Sequence, residues 1–174
     1  LLPPSSATKA SRLRDIKSAE IGHLVQITGM VTRVSEVKPI VSVVTYTCEA
    51  CGFEIYQEVF ARAFNPVATC PSQPCRDNHT GGRLHMQTRG SRFVKYQEIR
   101  VQELPDQVPQ GHIPRSMTVQ CRGEQTRQCG PGDLVTISGV FLTVRYTGFR
   151  ALKAGLIADT YLQACHIRRH KTGY

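Results

Sequence analysis

The sequence predicts a mainly β protein: a small closed barrel of five strands with a ribbon inserted into it. Three observations carry this expectation. Segments rich in β-branched residues, such as Leu24–Val34 and Phe93–Gln102, alternate apolar and polar side chains with the period of a half-buried strand. Glycines stand inside two of these segments, at Gly29 and Gly139, as strands that bulge or turn a barrel corner require. Between two strand-like stretches lie four cysteines, spaced Cys48-x2-Cys51 and Cys70-x4-Cys75.

Residues 1–14 open the chain as a linker or truncated segment, with Pro3, Pro4, Ser5 and Ser6 and no apolar period. Ser18 to Gly22 reads as one helical turn, capped by Ser18 and stopped by Gly22. A strand follows over 24–34, and a second over 40–46 runs into the first cysteine pair. Residues 47–84 form the cysteine segment. The strand over 93–102 is predicted to place Phe93, Lys95, Gln97, Ile99 and Val101 on one face. Pro105, Pro109 and Pro114, with Pro131 later, break the pattern around a short strand over 116–121. One internal echo stands out: Gly22-His-Leu-Val-Gln-Ile-Thr-Gly-Met-Val31 recurs as Gly132-Asp-Leu-Val-Thr-Ile-Ser-Gly-Val-Phe141. A final strand over about 149–167 follows a basic hairpin tip. Short bent strands with almost no helix are housed most economically by the five-stranded OB-fold, over 15–46 and 85–168, with 47–84 inserted and 169–174 as a tail.

Two short cysteine pairs joined by enough chain for a β-ribbon suit tetrahedral Zn²⁺ with four sulfur ligands: Cys48, Cys51, Cys70 and Cys75. A shell closed by four thiolates leaves no place for substrate, so the predicted role is structural. The competing reading is a disulfide framework, against which stand an odd count of seven cysteines and no visible signal peptide. Gly52, after Cys51, supplies the positive φ that a knuckle turn needs. Phe53, Tyr56, Phe60 and Phe64 are expected to pack the ribbon. Cys121, Cys129 and Cys165 lack ligand spacing and read as small apolar residues.

A formal charge of +9 favours a polyanionic partner, with nucleic acid ahead of an acidic membrane surface. No apolar run reaches the length of a membrane span. Arg83, Arg89, Arg92, Lys95 and Arg100 cluster after the cysteines. Arg145, Arg150 and Lys153 surround a predicted hairpin tip with Tyr146, Gly148 and Phe149. Cations along phosphates with aromatic faces beside them suit single-stranded nucleic acid, although for each ring taken separately core packing is the somewhat stronger reading. Phosphate-loop, serine-elbow, zinc-protease and dinucleotide motifs are all missing from the sequence, and no histidine has ligand or triad spacing. No catalytic apparatus is expected.

Longer motifs carry a family resemblance. Val31-Thr-Arg-Val-Ser-Glu-Val-Lys-Pro39, Tyr46-Thr-Cys-x-x-Cys-Gly52, Cys70-Pro-Ser-Gln-x-Cys75, Gly81-Gly-Arg-Leu84, Gln87-Thr-Arg-Gly-Ser-Arg-Phe93, Ile113-Pro-Arg-Ser116 and Pro131-Gly-Asp133 resemble the amino-terminal region of minichromosome maintenance (MCM) replicative helicase subunits, from about residue 12 to 168. The resemblance implies an OB-fold with a zinc-ribbon insertion, in a six-subunit ring around single- or double-stranded DNA. The five other MCM subunits are the implied partners, together with a second hexamer met through the zinc ribbons. It further implies nuclear residence and channel-facing cations: Arg145, Arg150 and Lys153 on the hairpin, and Arg89, Arg92, Lys95 and Arg100 on strands whose inward face is open. ATP and Mg²⁺ would belong to an ATPase module absent from these residues, so the chain reads as a fragment that is not itself an enzyme. The alternative is a free-standing OB protein that binds single-stranded nucleic acid and holds a structural zinc.

Overall fold

A computed structural model describes residues 10–59, 64–77, 81–144 and 159–170. Its elements, in chain order, are β1 (Leu24–Val34), β2 (Lys38–Cys48), β3 (Glu54–Glu58), α1 (Gln73–Asp77), β4 (Leu84–Gln102), β5 (Ser116–Arg122), β6 (Leu134–Thr143) and β7 (Thr160–His170), with single 3₁₀ turns between some of them. The chain divides into two compact units. Among the described residues, one holds 10–38, 95–144 and 159–170, and the other holds 39–59, 64–77 and 81–94.

The first unit is built from β1, the later part of β4, and β5 to β7. Its pairings run β1–β6–β7–β5–β4, and β4 pairs again with β1, so they form a cycle. All are antiparallel except β5 beside β7. Alternation supplies the interior: Val25, Ile27 and Val31 of β1 meet Val135 and Ile137 of β6 and Leu162 of β7, all buried. Each such side chain taken out of water contributes roughly 1.5–3 kcal/mol. On β4 the predicted common face is buried at Gln97, Ile99 and Val101 but not at Lys95 or Phe93, which are exposed. Pairing with β5 begins only at Tyr96, so nothing on β5 faces Lys95. Buried Gln97 is satisfied: its amide donates to the Ser35 carbonyl and its oxygen accepts the Arg127 N–H.

The internal echo has a structural meaning. Its two copies pair with each other, antiparallel, with the equivalent residues Ile27 and Ile137 directly opposite. The Gly22 N–H donates to the Phe141 carbonyl at 2.7 Å, and its counterpart Gly132 donates to Val31 at 2.7 Å. Both turn glycines have positive φ, +86° and +88°. The inner glycines sit at close approaches: a Cβ on Gly29 would lie 2.6 Å from Val101 and 2.7 Å from the Gln102 carbonyl, and one on Gly139 would strike the Gln163 backbone at the β6–β7 bulge.

The start of the fold is tied down from Ser11, whose N–H donates to Gln26, while Leu13 is buried. Arg14 grips Glu103 through two parallel hydrogen bonds of 2.9 and 2.7 Å. The turn predicted over 18–22 is a 3₁₀ turn, Ser18–Glu20. The final strand begins at Thr160, just after Asp159, and of the earlier residues predicted for it 149–158 lie outside the described residues.

In the second unit β2 is flanked by β3 and by the early part of β4. A small core of Val44, Tyr46 and Val59 gathers Ile55, Phe64 and Leu84. Two rings expected to pack there do not: Phe53 is 49% exposed and Tyr56 is 65% exposed. On β3 the period of two turns Ile55 inward and sends Tyr56 outward, where its hydroxyl donates to Glu54. Phe60 lies outside the described residues.

Candidate metal centre and nucleic-acid interface

β2 delivers Cys48 at its end, and the chain reverses at once. The Gly52 N–H donates to the Cys48 carbonyl at 2.9 Å with Gly52 at φ +70°, which turns Cys51 back beside Cys48. Cys70 is held by its N–H to the Gly82 carbonyl, and Cys75 lies within the short helix α1. The four sulfurs all lie within 4.8 Å of one another. The pairs Cys48–Cys75 and Cys51–Cys70 are 3.8 and 3.7 Å apart. That is far beyond a disulfide bond, and all four are free cysteines. A tetrahedron of Zn–S bonds of about 2.3 Å has edges of about 3.8 Å, so the thiols already have the spacing such an ion needs.

Gly82 completes the enclosure. A Cβ there would stand 2.5 Å from the Cys48 sulfur and 3.1 Å from that of Cys75. Acidity is spread unevenly over the thiols. The Ser72 hydroxyl, then the Phe53 N–H, lower Cys51 to about 6. Cys48 is drawn down by the Cys51 N–H, but burial and hydrogen bonding with the Cys51 and Cys70 thiols outweigh it and raise it to about 11.

The cations divide by place. Arg89 and Arg92 are exposed in the second unit, three positions apart, so a regular strand sends them to opposite faces. Lys95 and Arg100 belong to the first unit and differ in parity, which again separates them. Arg100 is opposite Arg33 across the β1–β4 ladder, where the register shifts between Val31 and Arg33. The bulge takes up one residue and leaves the two arginines opposite each other in register. Thr32 donates to the Arg100 carbonyl, and Arg100 Nε donates to Ser116 Oγ at 3.0 Å. A half-open groove of about 520 Å³ is lined there by Arg33, Lys38 and Arg100, with Glu36, Glu98, Tyr96 and Thr118 among its other walls. Sequence reasoning missed Arg33, because nothing in a single strand reveals its partner on a distant one. Arg145, Arg150 and Lys153 lie outside the described residues.

Comparison with known proteins agrees with this geometry. The family model described as the MCM OB domain matches residues 12–145. "DNA replication licensing factor MCM7" of rice is 56% identical over 93% of this chain and 22% of the relative. The Arabidopsis thaliana protein of that name is 54% identical over 97% and 24%, and that of Schizosaccharomyces pombe 49% over 94% and 21%. "DNA replication licensing factor MCM6" of Arabidopsis is 35% identical over 76% of the chain and 16% of the relative. The chain thus spans under a quarter of the length of these relatives. With the family match covering most of its residues, the chain belongs to the MCM OB domain family.

Proposed function

We propose that this chain is the DNA-gripping and ring-assembling domain of a replicative helicase subunit acting in the nucleus in replication initiation and elongation. The cycle of β1, the later part of β4 and β5 to β7 is read as an OB barrel, and the second unit, which holds the inserted 47–84, as a ribbon clamped by Zn²⁺ on Cys48, Cys51, Cys70 and Cys75. The ion supplies a closed structural crosslink. The five other MCM subunits are the ring partners, and the ribbons face a second hexamer. ATP hydrolysis with Mg²⁺ belongs to the longer protein.

The Arg33–Arg100 pair carries the DNA reading. Like charges directly opposite on neighbouring strands destabilise a sheet, and a phosphate between them reverses the sign of that interaction. Tyr96 beside them offers a ring. Lys38 lines the same groove, whose walls also hold Glu36 and Glu98, and Arg89, Arg92, Lys95, Arg145, Arg150 and Lys153 are the further backbone contacts proposed.

Titration of a single-stranded oligonucleotide at several salt concentrations tests this. Replacing Arg33 and Arg100 together with Ala is expected to weaken binding and to flatten the slope of log K against log salt by about 1.4, two contacts at about 0.7 each. An unchanged slope removes the pair from the interface.

A further inference from the structure

The two cysteine pairs differ in spacing, and the structure shows what the longer one introduces. Around Cys48-x2-Cys51 the sulfurs take their hydrogen bonds from the main chain: Cys51 and Ala50 N–H groups to Cys48, and the Phe53 N–H to Cys51. In Cys70-x4-Cys75 the two additional residues carry the chain into α1. The Ser72 carbonyl accepts the Arg76 N–H at 3.1 Å, which fixes the Ser72 backbone at the helix start. Its side chain is buried, with the hydroxyl oxygen accepting from the Cys70 thiol at 3.1 Å and within hydrogen-bond reach of the Cys51 sulfur at 3.2 Å. One hydroxyl therefore spans one edge of the sulfur cluster, the 3.7 Å edge that ties the first pair to the second.

We propose that Ser72 is a positioning residue for the metal, its hydroxyl donating to the Cys51 sulfur beside Cys70 and slowing loss of the ion. This rests on the reading of the four thiols as a zinc site. Four thiolates around a divalent ion leave a net charge of −2 in a largely buried cluster. A hydroxyl proton held on the Cys51 sulfur withdraws electron density from it, while the buried oxygen beside Cys70 keeps the two sulfurs at one separation. Groups that orient ligands in this way typically change metal affinity 10- to 100-fold when removed. Cys48 and Cys75 have no comparable side-chain hydroxyl among the described contacts, so the effect is localised to one edge.

The experiment uses the whole chain loaded with Co²⁺ for spectroscopy and with Zn²⁺ for release to a coloured chelator. Ser72→Ala is expected to keep one ion per chain and the visible bands of a tetrahedral four-thiolate site. Its thiolate-to-cobalt charge-transfer band should move to lower energy, because the Cys51 sulfur becomes more electron-rich. Zinc should leave about 10-fold faster, and Ser72→Thr should restore both properties. Should Ser72→Ala fold poorly, the pair Ser72→Thr and Ser72→Val, equal in shape and differing in the hydroxyl, makes the same comparison. A hydroxyl-free variant matching the native chain in band position and release rate overturns the role of Ser72 while leaving the metal site standing. A native chain that takes up no Co²⁺ overturns the metal reading and this inference with it.

Discussion

Glu103 is 1% exposed, yet its surroundings keep it charged. The Arg14 guanidinium binds both carboxylate oxygens, the Arg115 N–H adds a third hydrogen bond, and the pKa is held below the ordinary carboxylate value despite burial. Because the unfolded carboxyl titrates higher, it takes up its proton first on acidification. The contribution is complete above about pH 4.5 and is lost as pH falls through the folded value. Glu103→Gln is expected to flatten the acid limb of stability below about pH 4.5, measured as urea midpoints against pH; an unaltered limb would show that other carboxylates govern it. Gly82 makes a second prediction. Gly82→Ala sets a methyl group on the Cys48 sulfur and should abolish stoichiometric metal uptake, read by metal analysis after gel filtration. At this scale the cysteines were legible in advance, since ligand spacing is local. Arg33 was not, because its role depends on a register that joins residues 67 apart in sequence.

Among the elements, β1 was legible to the residue, and the reason is its uninterrupted inside–outside alternation from Val25 to Val31. β4 was not. It begins at Leu84, nine residues before the predicted start at Phe93. Residues 85–90 are all exposed, so this stretch has no core-facing side chains to impress a period of two on the sequence. Its hydrogen bonds declare it instead: Thr45 donates to Gly90, and Ser42 to Arg92. The glycine inside β6 was read as a bulge or a tight bend, and the β6–β7 ladder shifts register there, between Ser138 and Gly139, where a Cβ would meet the Gln163 backbone. Gly139→Ala should destabilise the first unit by about 1–3 kcal/mol, with chemical denaturation as the measurement, since backbone rather than a flexible side chain must yield. A variant of native stability would mean that β7 moves aside freely.

For the molecule as a whole, composition and charge pointed to a nucleic-acid partner, but only the pairing of strands brought Arg33, Lys38 and Arg100 to one wall. The second unit buries few apolar side chains around Val44, Tyr46 and Val59, too few for independent stability. Chelation should therefore cost hydrogen-exchange protection across 39–59 and 81–94 while β1, β6 and β7 retain theirs. Full protection after metal removal would show that the ribbon stands without an ion. Among the described residues no helix is long and apolar enough to cross a membrane. The self-paired echo of β1 and β6 bears on how this topology avoids error. Sliding one strand by two positions keeps every apolar side chain inside, so hydrophobic patterning cannot detect the mistake. Sliding β1 would carry Gly29 away from Val101 and Gln102 of β4 and bring a Cβ to that close approach, and sliding β6 would do the same to Gly139 against Gln163 of β7. The repeated glycine thus works as a pair of index pins, admitting a single alignment where oiliness alone would accept several.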